Sequence, residues 1–345
     1  MNFIKPNKLS PGDTVAIVSP SWGGPSKFPW VYEKGIQNLE NLGLKIKEYP
    51  TARASAEFLY ANPKARAEDL NNAFADKKIK AIIATIGGDD SIRILPFLDG
   101  SIAQKNPKIL MGYSDTCILT TFYNCLGLVT FNGPAVMAGF AQMNNFPDQY
   151  RQHIKDLLFI KNPNYLYKPF PFYAEGYPKW DKKEDADKIK EKKPADGWHW
   201  LQGRGVNQGE LFGGCIEAME FMKGTRFWPK EEFWDRKVFF LETSEEKPSC
   251  TQIKYILRNY GAQGIFDKIN ALLFGRARDY SDEEKMLLDK TILKIVKDEF
   301  GNENLTIVSN MNFGHTDPQI ILPLGVRAEL NCEKKDFRLV ESPFQ

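Results

Sequence analysis

Through residue 131, short apolar runs repeatedly stop at loops rich in Gly, Ser or Pro and give way to helical periodicity. The apolar runs are Val15–Val18, Ile79–Ile86, Ile109–Met111 and Leu128–Phe131, with an alternating segment at Leu44–Tyr49. Between them, Val31–Leu42, Ala65–Phe74 and Ile92–Leu98 carry the spacing of amphipathic helices. Strands alternating with helices in this way predict a parallel α/β sheet of the Rossmann or flavodoxin-like kind, covered by helices on both faces. Ligands of such sheets bind at the C-terminal edge of the strands. Gly87-Gly88 and Ser114 both fall on that edge.

The stretch Lys108–Leu126 carries the most chemistry. Ile109-Leu110-Met111 reads as a buried strand, Gly112 permits a tight turn, and Ile118, Leu119, Phe122 and Leu126 recur at helical spacing. Ser114 therefore lies where a strand stops and a helix starts. There it is either a helix N-cap or a hydroxyl exposed beside unpaired helix N–H groups, able to meet a developing anion.

The second half repeats the α/β pattern after a change of composition. Residues 166–200 gather Phe170, Phe172, Tyr173, Tyr177, Trp180, Trp198 and Trp200 around the charge run Asp181–Lys193. The run reads as a solvated loop or exposed helix, and the aromatics as either the underside of a packed loop or a stacking wall. Gly209–Met219 reads as a glycine turn entering a helix. Arg236–Leu241, Ile269–Phe274 and Leu305–Ser309 read as strands, Ile253–Tyr260 and Lys285–Val296 as helices, and Ile320–Val340 as β structure. With 345 residues, about two domains are expected: 1–165, a linker or insertion at 166–206, and a C-terminal α/β domain with a β-rich tail at 207–345.

A formal net charge of +2, without a basic run interleaved with aromatics, gives no reason to expect a nucleic-acid partner. No apolar run approaches the ~20 residues that span a bilayer, and the N-terminus lacks a signal-peptide core, so no membrane partner and a cytoplasmic location are expected. Five cysteines form no Cys-x-x-Cys pair, and the three histidines form no His-Glu-x-x-His or Cys/His cluster. No metal and no organic cofactor are therefore expected.

A nucleophilic Ser114 needs a base. His153 precedes Lys155-Asp-Leu-Leu in a presumed surface helix and reads as structural; His199 lies between Trp198 and Trp200, where it could stack or cap. His315 follows Gly314 in a loop after an apolar strand, where an imidazole can be aimed. Glu242 directly follows Val238–Leu241, and a carboxylate there could fix the imidazole tautomer, or form a salt bridge. Ser, Glu, His is the chain order of α/β-hydrolase triads, but Thr116 stands where the second glycine of Gly-x-Ser-x-Gly belongs. An N–H of the Gly87-Gly88-Asp89-Asp90 loop could pair with that of Asp115 as an oxyanion hole. The same loop is also similar to the Gly-Gly-Asp-Gly phosphate loop of NAD kinases and phosphofructokinases, which leaves a phosphotransferase open, and a non-catalytic binding protein remains a third reading.

Leu9-Ser-Pro-Gly-Asp13, Ile86-Gly-Gly-Asp-Asp90, Gly112-Tyr-Ser-Asp115, Gly213-Gly214, Leu241-Glu-Thr-Ser-Glu245 and Gly314-His315 together resemble the LD-carboxypeptidase family of serine peptidases. The ordered set spans nearly the whole chain. The resemblance implies an N-terminal α/β domain, a C-terminal domain and a Ser-Glu-His triad assembled across them. It places the nucleophile on Ser114, the acid on Glu242, the base on His315 and the oxyanion-hole amides on Gly88 and Asp115. It also implies a homodimer. One branch of the family removes D-alanine from murein tetrapeptides; another, similar to the microcin C immunity peptidase, cuts an aminoacyl-nucleotide amide. Gly-Gly-Asp-Asp-Ser, Glu-Thr-Ser-Glu-Glu and the aromatic insertion are more similar to the second. Trp180 and Trp198 are the residues expected to stack on a nucleobase there. In a folded triad, Ser114 Oγ should lie near one ring nitrogen of His315 and Glu242 on the other.

Overall fold

The alternating runs of the first half build one sheet in the computed structural model, which describes residues 2–345. Its parallel strands are β1 (Thr14–Val18), β2 (Lys45–Glu48), β3 (Ile79–Ala84), β4 (Ile109–Gly112) and β5 (Thr130–Asn132). Their spatial order is β2-β1-β3-β4-β5, all in parallel register. β1, β3 and β4 are almost wholly buried, as strands covered on both faces must be, whereas edge strand β2 (Lys-Ile-Lys-Glu) stays open to water. The helices Pro29–Asn41 and Pro63–Ala75 each begin on a proline, whose missing N–H costs nothing in a first turn. Ile92–Leu98 differs from the expected α-helix. Residues Ser91–Phe97 form a 3-10 helix, with Pro96 unable to donate within it.

Within the aromatic segment, β6 (Phe172–Tyr173) and β7 (Lys193–Pro194) pair as a small antiparallel ribbon. A second sheet follows from β8 (His199–Gln202), β9 (Val206–Cys215), β10 (Val238–Glu242), β11 (Ala271–Gly275) and β12 (Thr306–Met311). β9 to β12 run parallel, and β8 closes one edge antiparallel to β12. β14 (Arg327–Asn331) and β15 (Asp336–Leu339) extend the other edge antiparallel, whereas β13 (Leu322–Leu324) crosses back and pairs with β5. The tail thus ties the two sheets together, and β8 draws the end of the expected linker into the second sheet. The result is an α/β fold with two mixed sheets.

The stretch read as a glycine turn at Gly209 lies inside the long strand β9, and its helix begins only at Ile216. Gly213 has φ +151, and a Cβ there would fall 1.8 Å from the Phe240 carbonyl oxygen. Those glycines serve close strand approach rather than a turn. Among the described residues, no helix is long and apolar enough to cross a membrane.

Candidate active site

β4 delivers Gly112 to the sheet edge, and two residues later Ser114 adopts φ +60 at the start of the turn Ser114–Thr116, which leads into the helix Cys117–Cys125. A left-handed conformation is uncommon for a non-glycine residue and holds the side chain out of the helix path. Gly87 lies directly against it: a Cβ there would be 2.8 Å from Ser114 Oγ and 3.3 Å from the Asp115 nitrogen. Gly88, at φ +153, is equally crowded by Ser21 Oγ. The loops after β3 and β4 therefore meet at Ser114, with the Asp115 amide in a first turn that offers it no intrahelical acceptor.

Side chains lock these loops. The buried Asp115 carboxylate accepts from Ser21 Oγ (2.6 Å) and from the Ser91 amide (2.8 Å), and burial raises its pKa. Asp90 receives two bonds from fully buried Arg66, at 2.6 and 3.0 Å, and one from Arg93 at 2.8 Å. The second acid of Gly-Gly-Asp-Asp is thus engaged within the protein.

Glu242 ends β10, fully buried, and its Oε2 accepts from His315 Nδ1 at 2.7 Å. His315 rises from the loop after β12, with Tyr113 edge-on to its ring at 5.0 Å. Burial by itself would lower the imidazole pKa, but Glu242, then Glu245 and Glu217, prevail and raise it. The other ring nitrogen, Nε2, faces Glu245 Oε2 at 3.2 Å. Ser114 and His315 line one cleft of about 510 Å³, yet among the described residues no hydrogen bond joins them. The expected Glu–His half is assembled; on the serine side, Glu245 stands at Nε2.

Cys215, at the end of β9, places its Sγ within 4.8 Å of the ligating atoms of Glu242 and His315, a cluster the sequence spacing did not reveal. A metal there would compete for the Glu242–His315 pair, and burial raises the Cys215 thiol well above its usual pKa, disfavouring the thiolate a metal requires.

The other two histidines lie elsewhere. His153 is buried rather than on the surface: Nδ1 meets the Tyr165 hydroxyl at 2.7 Å, and Nε2 accepts from the Ile321 amide at 2.8 Å. Burial drops its pKa to about 3. His199 is held between Asp289 (3.0 Å) and Asp196 (2.9 Å), which raise its pKa, away from the Ser114 cleft.

Aromatics form one wall of the cleft. Trp180 stacks on Tyr177 with centroids 5.4 Å apart and meets Phe28 edge-on at 5.7 Å, while Trp30 Nε1 donates to the Trp180 carbonyl. The Tyr177 hydroxyl donates to Asp317, a buried acid pushed up to about 6. Trp198 departs from expectation. Its indole N–H bonds Asn312 at 2.8 Å and its ring packs edge-on against Phe337, so it is held outside the residues lining the cleft. Trp22 and Arg278 were missed by sequence reading, and Tyr177 was named only among the aromatics of the insertion. For Trp22 and Arg278 the signal was present, because each closely follows a strand at the edge where ligands bind.

Residues 15–133 match the model of the LD-carboxypeptidase N-terminal domain, and residues 208–330 that of its C-terminal domain. The chain belongs to the LD-carboxypeptidase family. It is accordingly a serine-type peptidase. It is 26% identical over 335 residues to the microcin C7 self-immunity protein MccF of Escherichia coli, covering 96% of this chain and 94% of that protein. It is also 26% identical over 339 residues to the Bacillus subtilis (strain 168) protein named "Probable murein peptide carboxypeptidase", covering 96% and 92%. A solved structure of an MccF-like protein from Streptococcus pneumoniae in complex with AMP superposes with a TM-score of 0.85, at 29% identity over 95% of this chain and 98% of that one.

Proposed function

We propose that this LD-carboxypeptidase hydrolyses an amide through Ser114, His315 and Glu242, on peptidyl- or aminoacyl-nucleotide substrates of the microcin C type. The observation that carries the choice of substrate is the Tyr177–Trp180 stack on the wall of the Ser114 cleft. The AMP complex of the Streptococcus pneumoniae relative supports it. Rings stacked at a cleft wall suit a nucleobase and contribute little to binding a small aliphatic peptide.

In this mechanism His315 Nε2 takes the Ser114 proton as Oγ attacks the scissile carbonyl. Glu242 holds Nδ1–H and balances the imidazolium. The Gly88 and Asp115 amides receive the tetrahedral oxyanion. His315 returns the proton to the departing nitrogen, and water hydrolyses the acyl-serine by the reverse path. No metal or organic cofactor takes part.

The order β2-β1-β3-β4-β5 supports reading the first sheet as a flavodoxin-like unit. It carries the nucleophile, and the unit from residue 207 carries Glu242 and His315. Five free cysteines support a reducing, cytoplasmic setting, and the family resemblance favours a homodimer.

Removal of D-alanine from murein tetrapeptides is the second reading, favoured by equal identity to the Bacillus subtilis relative. Kinetics on aspartyl sulfamoyl adenosine, an aspartyl-AMP phosphoramidate and an LD-tetrapeptide distinguish the two. Tight adenosine-dependent binding of the first and turnover of the second are expected; turnover of the tetrapeptide alone would overturn the nucleotide reading.

A further inference from the structure

We propose that Arg278 receives the anionic group on the leaving side of the substrate, and that the Glu245 carboxylate occupies that place in the free enzyme. The inference rests on the reading of Ser114 and His315 as nucleophile and base. Among the described residues, Arg278 is the sole arginine or lysine lining the Ser114 cleft. It is held in position before any ligand arrives. Its Nε donates to Asp279 Oδ2 at 3.2 Å, and its guanidinium passes over Gly176, where a Cβ would fall 2.5 Å from Nη2.

Glu245 bridges the base and this cation with one oxygen. Its Oε2 is 3.2 Å from His315 Nε2 and 3.8 Å from Arg278 Nη1. The Glu245 side chain is 56% exposed on the loop after β10, so it can swing into water at little cost. A substrate of either class carries an anion just beyond the scissile amide: a free carboxylate on a departing amino acid, or a phosphate-type group on a departing nucleotide. Such an anion can take a charge-assisted, two-pronged contact from Arg278. It would compete with Glu245 for the guanidinium and repel it from His315. Nε2 would then be free to accept the Ser114 proton. A ligand without the anion would leave Glu245 in place, so the site would couple recognition of the leaving group to release of its base. The groups facing His315 are Glu242, Glu245, Glu217, Asp317, Tyr113 and the Cys215 thiol, with Arg278 behind Glu245.

Binding to Ser114→Ala, read by calorimetry at one ionic strength, tests Arg278 without turnover. The probes are AMP against adenosine, and L-alanyl-D-alanine against its C-terminal amide. The anionic member of at least one pair should bind about 10-fold or more tighter, and Arg278→Gln should reduce that preference to within about 3-fold of unity. The AMP pair reports a phosphate, the dipeptide pair a carboxylate. Arg278→Lys should keep part of the preference. No preference in either pair, a preference that survives Arg278→Gln, or equal loss in the Lys and Gln variants overturns the assignment. With Ser114 intact, Glu245→Gln should move the acid limb of kcat/KM to lower pH, because one carboxylate that favours the imidazolium is gone. An unmoved limb overturns the role given to Glu245. Full turnover by Ser114→Ala would count against the serine mechanism alone, since the binding preferences are read independently of it.

Discussion

Gly314 presses its backbone against the carboxylate of Glu242: a Cβ built there would fall 2.3 Å from Oε2, and the residue sits at φ +95. Glu242 is fully buried and bonded to His315, so it has little room to yield. Gly314→Ala should therefore displace the carboxylate from the imidazole. A fall in kcat of at least about 10-fold and a stability loss of at least about 1 kcal/mol are expected. Steady-state kinetics and thermal melting check both, and an unchanged kcat would show that the Glu242–His315 contact tolerates the shift.

Ser114 combines a position in the cleft with a left-handed backbone. Ser114→Ala should lower kcat by roughly 10⁴-fold while keeping the fold. Ser114→Gly should be as inactive but more stable, by on the order of 1 kcal/mol, because glycine relieves the strain at φ +60. Near-normal turnover by either variant would remove the serine from the mechanism.

The carboxylates around His315 set a pH dependence. Their combined effect raises the imidazole pKa, which favours the protonated form, and a general base must be neutral. Activity should rise with pH, with the acid limb of kcat/KM centred above the ordinary histidine value of about 6.5. Glu242→Gln should move that limb downward and lower the maximum rate. A wild-type limb below the ordinary value would contradict the electrostatic account.

Trp180 and Trp198 should separate in their effects. Trp180→Ala is expected to raise KM for an aminoacyl-adenylate analogue by roughly 5- to 150-fold, from stacking worth ~1–3 kcal/mol per base. A peptide lacking the base should change far less. Trp198→Ala should instead destabilise the fold by about 1–3 kcal/mol through the lost Asn312 and Phe337 contacts, with KM little altered. Equal KM effects from both variants would place the base elsewhere.

Exhaustive chelation should leave activity intact. Burial holds the Cys215 thiol beside Glu242 and His315 in its protonated form, so added zinc should find no strong site there and inhibit little. Loss of activity on chelation, with recovery on zinc, would mean that the metal is part of the mechanism.

Local chemistry made much of this protein legible in its sequence. Apolar runs that end in Gly, Ser or Glu, such as those before Gly87, Ser114 and Glu242, place these residues at strand ends whatever the rest of the chain does, because strand burial and turn formation are short-range effects. The order of those motifs also carried the family. Tertiary structure alone decided which side chains meet. Glu242 and His315 lie 73 residues apart and come within 2.7 Å only because β10, β11 and β12 stack in register. Trp180 faces the cleft while Trp198 turns away, though both flank the same charge run, because Tyr177 and Phe28 hold one ring and Asn312 and Phe337 the other. Cys215 beside Glu242 and His315, Glu245 on Nε2 and the return of β13 to the first sheet have the same origin. Side-chain direction at long range follows from how whole elements pack, and no local pattern of residues encodes it.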